Sequence, residues 1–86
     1  MADYSIVFAR SARRELERLN DPLSSRILKR IESLASSPRP SGCRKLEGTE
    51  NLWRVRVGDY RIIYAVDDLT RMVDITCIRH RRDAYR

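Results

Sequence analysis

The stretch LWRVRVGDYRIIYAV, residues 52–66, constrains the fold more than any other part of this chain. Two runs rich in Val, Ile, Tyr and Trp flank Gly58-Asp59, and a Gly-X pair between β-type runs signals a two-residue hairpin turn. With those two residues as the loop, Val57 faces Tyr60, Arg56 faces Arg61 and Arg54 faces Ile63. Side chains alternate along a strand. One hairpin face therefore carries Trp53, Val55, Val57, Tyr60, Ile62, Tyr64 and Val66, and the other carries Arg54, Arg56, Arg61, Ile63 and Ala65. Like charges placed directly opposite each other destabilise a sheet by a few tenths to about 1 kcal/mol per pair. Setting Arg56 against Arg61 points to an anion held there.

The remaining pattern supplies the layer that covers the apolar face. Tyr4, Ile6 and Phe8 alternate as a short strand. A helix follows from residue 9 or 11 to residue 19, with Ala12, Leu16 and Leu19 as its stripe. Asp21 is placed to cap a second helix, with Pro22 at its first position, running to residue 36. Leu23, Ile27, Leu28, Ile31, Leu34 and Ala35 are its apolar side. Pro38 and Pro40 make the next segment a loop. Arg44-Lys45-Leu46 reads as a short edge strand, and residues 72–78 as a last strand with Val73, Ile75 and Cys77 toward the core. The order β-α-α-β-β-β gives an α+β fold: a helical hairpin packed on one face of a small, mainly antiparallel, twisted sheet, the other face wet. Residues 1–86 are enough for one such domain. Arg79 has the parity of Val73, Ile75 and Cys77, so the strand must end or twist before it if Arg79 is to reach the basic face.

Lys plus Arg is 18 against 12 Asp plus Glu, a net charge of +6, and only Lys29 and Lys45 are lysines. Arginine presents a planar fork that matches phosphate and stacks on bases, which indicates a polyanionic partner: nucleic acid or an acidic protein. Cys43 and Cys77 fit no metal or redox spacing and read as reduced thiols of a cytoplasmic protein. The first residues have no signal-peptide pattern, and the longest apolar run, residues 62–66, is far too short to cross a bilayer. No membrane role is expected.

Several chemistries lack their residues. His80 is the only histidine, so no metal site and no cofactor are expected. Gly42, Gly48 and Gly58 are scattered and form no phosphate or dinucleotide loop. A basic surface with one His and a C-terminal Tyr suits RNA, which carries its own nucleophile, the 2′-hydroxyl. Orienting that hydroxyl against the scissile phosphate gives rate by itself. Arginines would stabilise the phosphorane, while an unperturbed histidine can take or give a proton near neutrality.

Here the chain resembles a known family. The stretches SIVFARSARRELERL, SSPRPSGCRKLEG, LWRVRVGDYRIIYAV and IRHRRDAYR, with the element order, resemble the RelE/ParE superfamily of type II toxin-antitoxin toxins over nearly the whole chain. The ending RHRRDAY looks like the RelE branch, whose members cut mRNA in the ribosomal A site. The resemblance implies that Arg54 and Arg56 contact the scissile phosphate, that Arg61 stabilises the transition state, and that Arg79 joins them from the last strand. It also implies that Tyr85 stacks on a nucleotide. Lys45, Arg81 and Arg82 extend the RNA-binding surface. The usual pattern has lysines at positions 54 and 56. Arginine stays protonated and is a poor base, so the base is His80, a water, or none in a purely electrostatic mechanism. The expected partners are an acidic RelB-like antitoxin, mRNA and the ribosome, including 16S rRNA of the A site. ParE-like relatives, which inhibit DNA gyrase by binding it, are the competing expectation.

Overall fold

A computed structural model describes residues 3–82. Its elements are β1 (Ser5–Phe8), α1 (Arg10–Glu17), α2 (Leu23–Ser33), β2 (Arg44–Lys45), β3 (Leu52–Val57), β4 (Tyr60–Asp67) and β5 (Met72–His80). The strands form one five-stranded sheet in the order β1-β5-β4-β3-β2. Only β1 and β5 run parallel; the other neighbours are antiparallel. The helical pair packs on one sheet face, as the alternation of the hairpin requires. Ala12 from α1 and Ile27, Ile31 and Leu34 from α2 and its end are buried against Val55, Ile62, Tyr64, Val66, Val73, Ile75 and Ile78. Each fully buried aliphatic side chain contributes roughly 1.5–3 kcal/mol of transfer free energy. Leu28, read from its spacing as core, is 39% exposed.

The start of α2 differs from its expected form. Pro22 occupies the cap position and no side chain caps the helix. The Asp21 carboxylate instead accepts the hydroxyls of Ser24 and Ser25, each at 2.6 Å. Those bonds, that of Ser24 first, hold its carboxyl below the ordinary value.

The hairpin register is the expected one: Val57 opposes Tyr60, Arg56 opposes Arg61 and Arg54 opposes Ile63. Gly58 has φ +58°, the positive first-turn angle of a two-residue Gly-X hairpin, which an L side chain adopts only with strain. On β5 the simple alternation fails. Ile63 pairs with Cys77, but Tyr64 pairs with Ile75, so Thr76 is one extra residue, a β-bulge. The Thr76 hydroxyl donates to the Ile63 carbonyl at 3.0 Å. The bulge corrects the expectation for Cys77. Ile78, not Cys77, takes the core position after Ile75, and Cys77 and Arg79 turn to the open face. This is how Arg79 overcomes its parity.

A polar clamp closes the far end of the sheet. Arg39 donates to both carboxylate oxygens of Asp68, at 3.3 and 2.8 Å, and lies 5.2 Å over the Trp53 ring. Tyr4 donates its hydroxyl to Asp68 as well. Beneath it the buried Tyr64 hydroxyl donates to the Pro38 carbonyl at 2.8 Å. These contacts hold the Pro-containing loop against the sheet.

Candidate anion-binding site

The register gathers the arginines of the open face into rows. Arg56 of β3 opposes Arg61 of β4, and Arg61 opposes Arg79 of β5. With neighbouring strands about 4.8 Å apart, the three backbone positions span roughly 10 Å. The next row on this face is Arg44, Arg54, Ile63 and Cys77. Three like-charged pairs thus stand directly opposite each other: Arg44 with Arg54, Arg56 with Arg61, and Arg61 with Arg79. At a few tenths to about 1 kcal/mol each, they remove a noticeable part of the roughly 5–15 kcal/mol that stabilises a typical domain. Arg61 lies deepest, half-buried with its Nε closed off from solvent, while Arg56 and Arg79 are exposed.

A cavity of about 590 Å³ opens at the turn end of this face, lined by Arg56, Gly58, Asp59, Tyr60, Arg61, His80, Arg81 and Arg82. The chain leaving β5 is tied to the hairpin turn, because the Arg81 amide donates to the Asp59 carbonyl at 2.7 Å. That bond brings Arg81 and Arg82 to the cavity rim. His80 pairs with Tyr60 in the register, and their rings meet edge to face at 5.3 Å and 84°. Its Nδ1 accepts the Arg82 amide at 3.2 Å. In the neutral imidazole the proton therefore sits on Nε2, the nitrogen left for exchange with a ligand.

Of the residues expected from sequence, Arg56, Arg61, His80, Arg81 and Arg82 line the cavity. Arg54 and Arg79 share the open face without lining it. Lys45 is placed elsewhere: it opposes Trp53, on the helix side of the sheet, and its neighbour Arg44 takes the open-face position instead. Tyr85 lies outside the described residues. Tyr60, read as core, is half-buried and reaches the cavity. Burial pushes the Cys77 thiol above its ordinary value despite the nearby Arg79 charge, so it is a poor nucleophile at neutral pH. Sequence reasoning also passed over Glu15, whose carboxylate lies 3.6 Å from Arg79 Nε.

Among the described residues, no three His, Cys, Asp or Glu side chains stand together as a metal site, and no helix is long and apolar enough to cross a membrane. The arrangement can bind a compact anion with several guanidinium groups and present one imidazole nitrogen beside it. Such charge-assisted bonds are about twice as strong as neutral ones.

Comparison with known proteins agrees with this construction. Residues 6–85 match the family model described as ParE toxin of type II toxin-antitoxin system, parDE. Toxin RelE of Mycobacterium tuberculosis is 31% identical over 96% of this chain and 87% of its own length. Toxin RelG of the same organism is 32% identical over 96% of this chain and 97% of its own. Among solved structures, the archaeal RelE-RelB complex from Pyrococcus horikoshii superposes with a TM-score of 0.81 at 30% identity, covering 92% of this chain and 96% of that one. The chain belongs to the RelE/ParE superfamily of type II toxin-antitoxin toxins.

Proposed function

We propose that this toxin is an mRNA endonuclease of the RelE kind, cleaving ribosome-bound message in the A site without a metal ion. The observation that carries the reading is the cross-strand row Arg56, Arg61 and Arg79 at the edge of a cavity that also holds His80, Arg81 and Arg82. A sheet that sets like charges against each other in sequence gains when a phosphate sits among them.

In this reading Arg61, the deepest of the three, meets the phosphate that acquires charge in the transition state. Arg56 and Arg54 hold it from the hairpin, and Arg79 from β5. The RNA 2′-oxygen attacks phosphorus, the bond to the 5′-oxygen breaks, and the products are a 2′,3′-cyclic phosphate and a 5′-hydroxyl. The proton lost from the 2′-hydroxyl passes to water and the leaving oxygen takes one back from water, while His80, with its proton on Nε2, donates a hydrogen bond to a phosphate oxygen. Arg81 and Arg82 bind the flanking backbone, and Tyr85 stacks on a nucleotide. The Lys45 side of the sheet lies away from this path, and Arg44 takes its place as a phosphate contact. The partner of this toxin is an acidic RelB-like antitoxin, by analogy with the Pyrococcus complex, and the pair acts in the cytoplasm with the ribosome.

Primer extension on cellular mRNA after induction tests this. Discrete cuts within codons, absent with Arg61→Ala, are expected. Loss of one charge-stabilising donor costs about 10²–10³ in rate. Uncut message with a DNA-damage response would overturn the nuclease reading in favour of gyrase inhibition.

A further inference from the structure

Among the described residues, no strand lies on the outer side of the end of β5 that carries Arg79 and His80. Strand β1 pairs with β5 only from Met72 to Ile75. Beyond that point the Ala9 backbone and then side chains of helix α1 take over. The Ala9 amide donates to the Ile75 carbonyl at 2.9 Å. The Ser11 hydroxyl donates to the Thr76 carbonyl at 3.2 Å, and Glu15 Oε1 accepts the Ile78 amide at 3.0 Å. Ser11 and Glu15 are four residues apart and so share one helix face. They continue, with side-chain groups, the ladder that β1 leaves unfinished. The other oxygen of Glu15, Oε2, lies 3.6 Å from Arg79 Nε.

We infer that Glu15 is a positioning residue for the anion site: one carboxylate oxygen fixes the bulged end of β5, and the other anchors Arg79 by the stem of its guanidinium. Holding Arg79 at Nε leaves its two terminal nitrogens for a phosphate. A carboxylate this close to a phosphate site opposes anion binding through its charge. Its benefit must come from geometry, since misplacing a catalytic group by about 1 Å can cost 10²-fold in rate. The consequence is a split between binding and turnover. Glu15→Gln keeps an oxygen for the Ile78 amide but removes the charge that holds Arg79. Glu15→Ala removes both.

The kinetic arm rests on the nuclease reading, so the test has a second arm that does not. With purified full chain, Glu15→Gln is expected to bind a short RNA with 2′-deoxy substitutions as tightly as wild type or more so, while kcat on message bound to purified ribosomes falls about 10- to 100-fold. Glu17→Gln, on the same helix but paired with Arg13, should behave as wild type. By NMR, Glu15→Gln should retain slow exchange of the Ile78 amide but raise the fast mobility of the Arg79 Nε–H vector; Glu15→Ala should also lose the protection of the Ile78 amide. An unchanged kcat in Glu15→Gln, or RNA binding weakened in step with it, overturns the proposal. If wild-type protein cuts no ribosome-bound message, the nuclease reading fails by itself. The NMR data then decide: greater Arg79 Nε–H mobility in Glu15→Gln supports the anchoring, and unchanged mobility overturns it.

Discussion

Replacing Arg56 by Gln should make this protein more stable and less active, and the gain should vanish in salt. Arg56 stands directly opposite Arg61, which also faces Arg79. Two unit charges about 5–6 Å apart in water repel by ~0.7 kcal/mol. Long arginine side chains splay apart, which brings the expected relief to about 0.5 kcal/mol, inside the range for like-charged cross-strand pairs. Glutamine keeps most of the aliphatic stem, so little packing is lost. For a domain of this size the gain corresponds to a rise in Tm of about 2–4 °C. At 1 M salt the Debye length falls to about 3 Å and the repulsion nearly disappears. Thermal unfolding of both proteins at low and high salt reads the difference directly. Added sulfate should stabilise wild type more than the variant, because a ligand that binds only the folded state adds stability by mass action. RNA cleavage should fall about 10²-fold. A variant no more stable than wild type at low salt, or a gain that persists at 1 M, would refute the idea that the sheet stores charge repulsion for an anion to relieve.

Three further outcomes follow from the fold. Tyr64→Phe should cost about 1 kcal/mol at neutral pH, because the Pro38 carbonyl loses its donor. Burial raises the Tyr64 phenol above the ordinary tyrosine value of 10.0, so the stability it contributes is complete below pH 10.0 and is lost as pH rises further; the gap between the two proteins, followed by denaturant unfolding, should close in alkali. Gly58→Ala should lower Tm by about 4–8 °C, the shift for ~1 kcal/mol of backbone strain. A Cβ there meets nothing within 4 Å, so the positive φ alone is responsible. Asp68 is held below its ordinary value of 3.8 by Arg39 first and then by the Tyr4 hydroxyl. Its contribution is therefore present above pH 3.8 and lost as pH falls below it. Fluorescence of Trp53, under the Arg39 guanidinium, should change in acid for wild type and already differ at pH 5 in Asp68→Asn.

The sequence made the hairpin legible because a two-residue turn with Gly58 fixes register, and register assigns every side chain to a face. Helix placement followed from the spacing of Ile27, Ile31 and Leu34, though α2 begins without the expected Asp21 cap. The bulge at Thr76 was not legible. It depends on the bond from Thr76 to Ile63 and on Ser11 reaching Thr76 from α1, contacts between residues distant in the chain, and no glycine marks it. That single extra residue moves Cys77 off the core face and brings Arg79 into line with Arg61. Arg44 escaped notice because a two-residue strand has no periodicity to read, and only its pairing with Arg54 shows which way it points. Glu15 was invisible for the opposite reason. On a helix rich in charge it looks like any solvated residue, and its role exists only where α1 runs along the free edge of β5. Arg54, Arg56 and Arg61 could be placed on the open face because charge type and strand parity are local properties.

The most direct measurement is a titration of isotope-labelled protein with a short single-stranded RNA made uncleavable by 2′-deoxy substitution, followed by NMR at low salt. Shifts confined to Arg54, Arg56, Arg61, Arg79, His80 and Arg81, with binding that weakens by a slope of about −0.7 per phosphate as log salt rises, are the predicted result. Shifts centred instead on the Arg39 and Asp68 end of the sheet, with the arginine row silent, would contradict a phosphate site built from β3, β4 and β5.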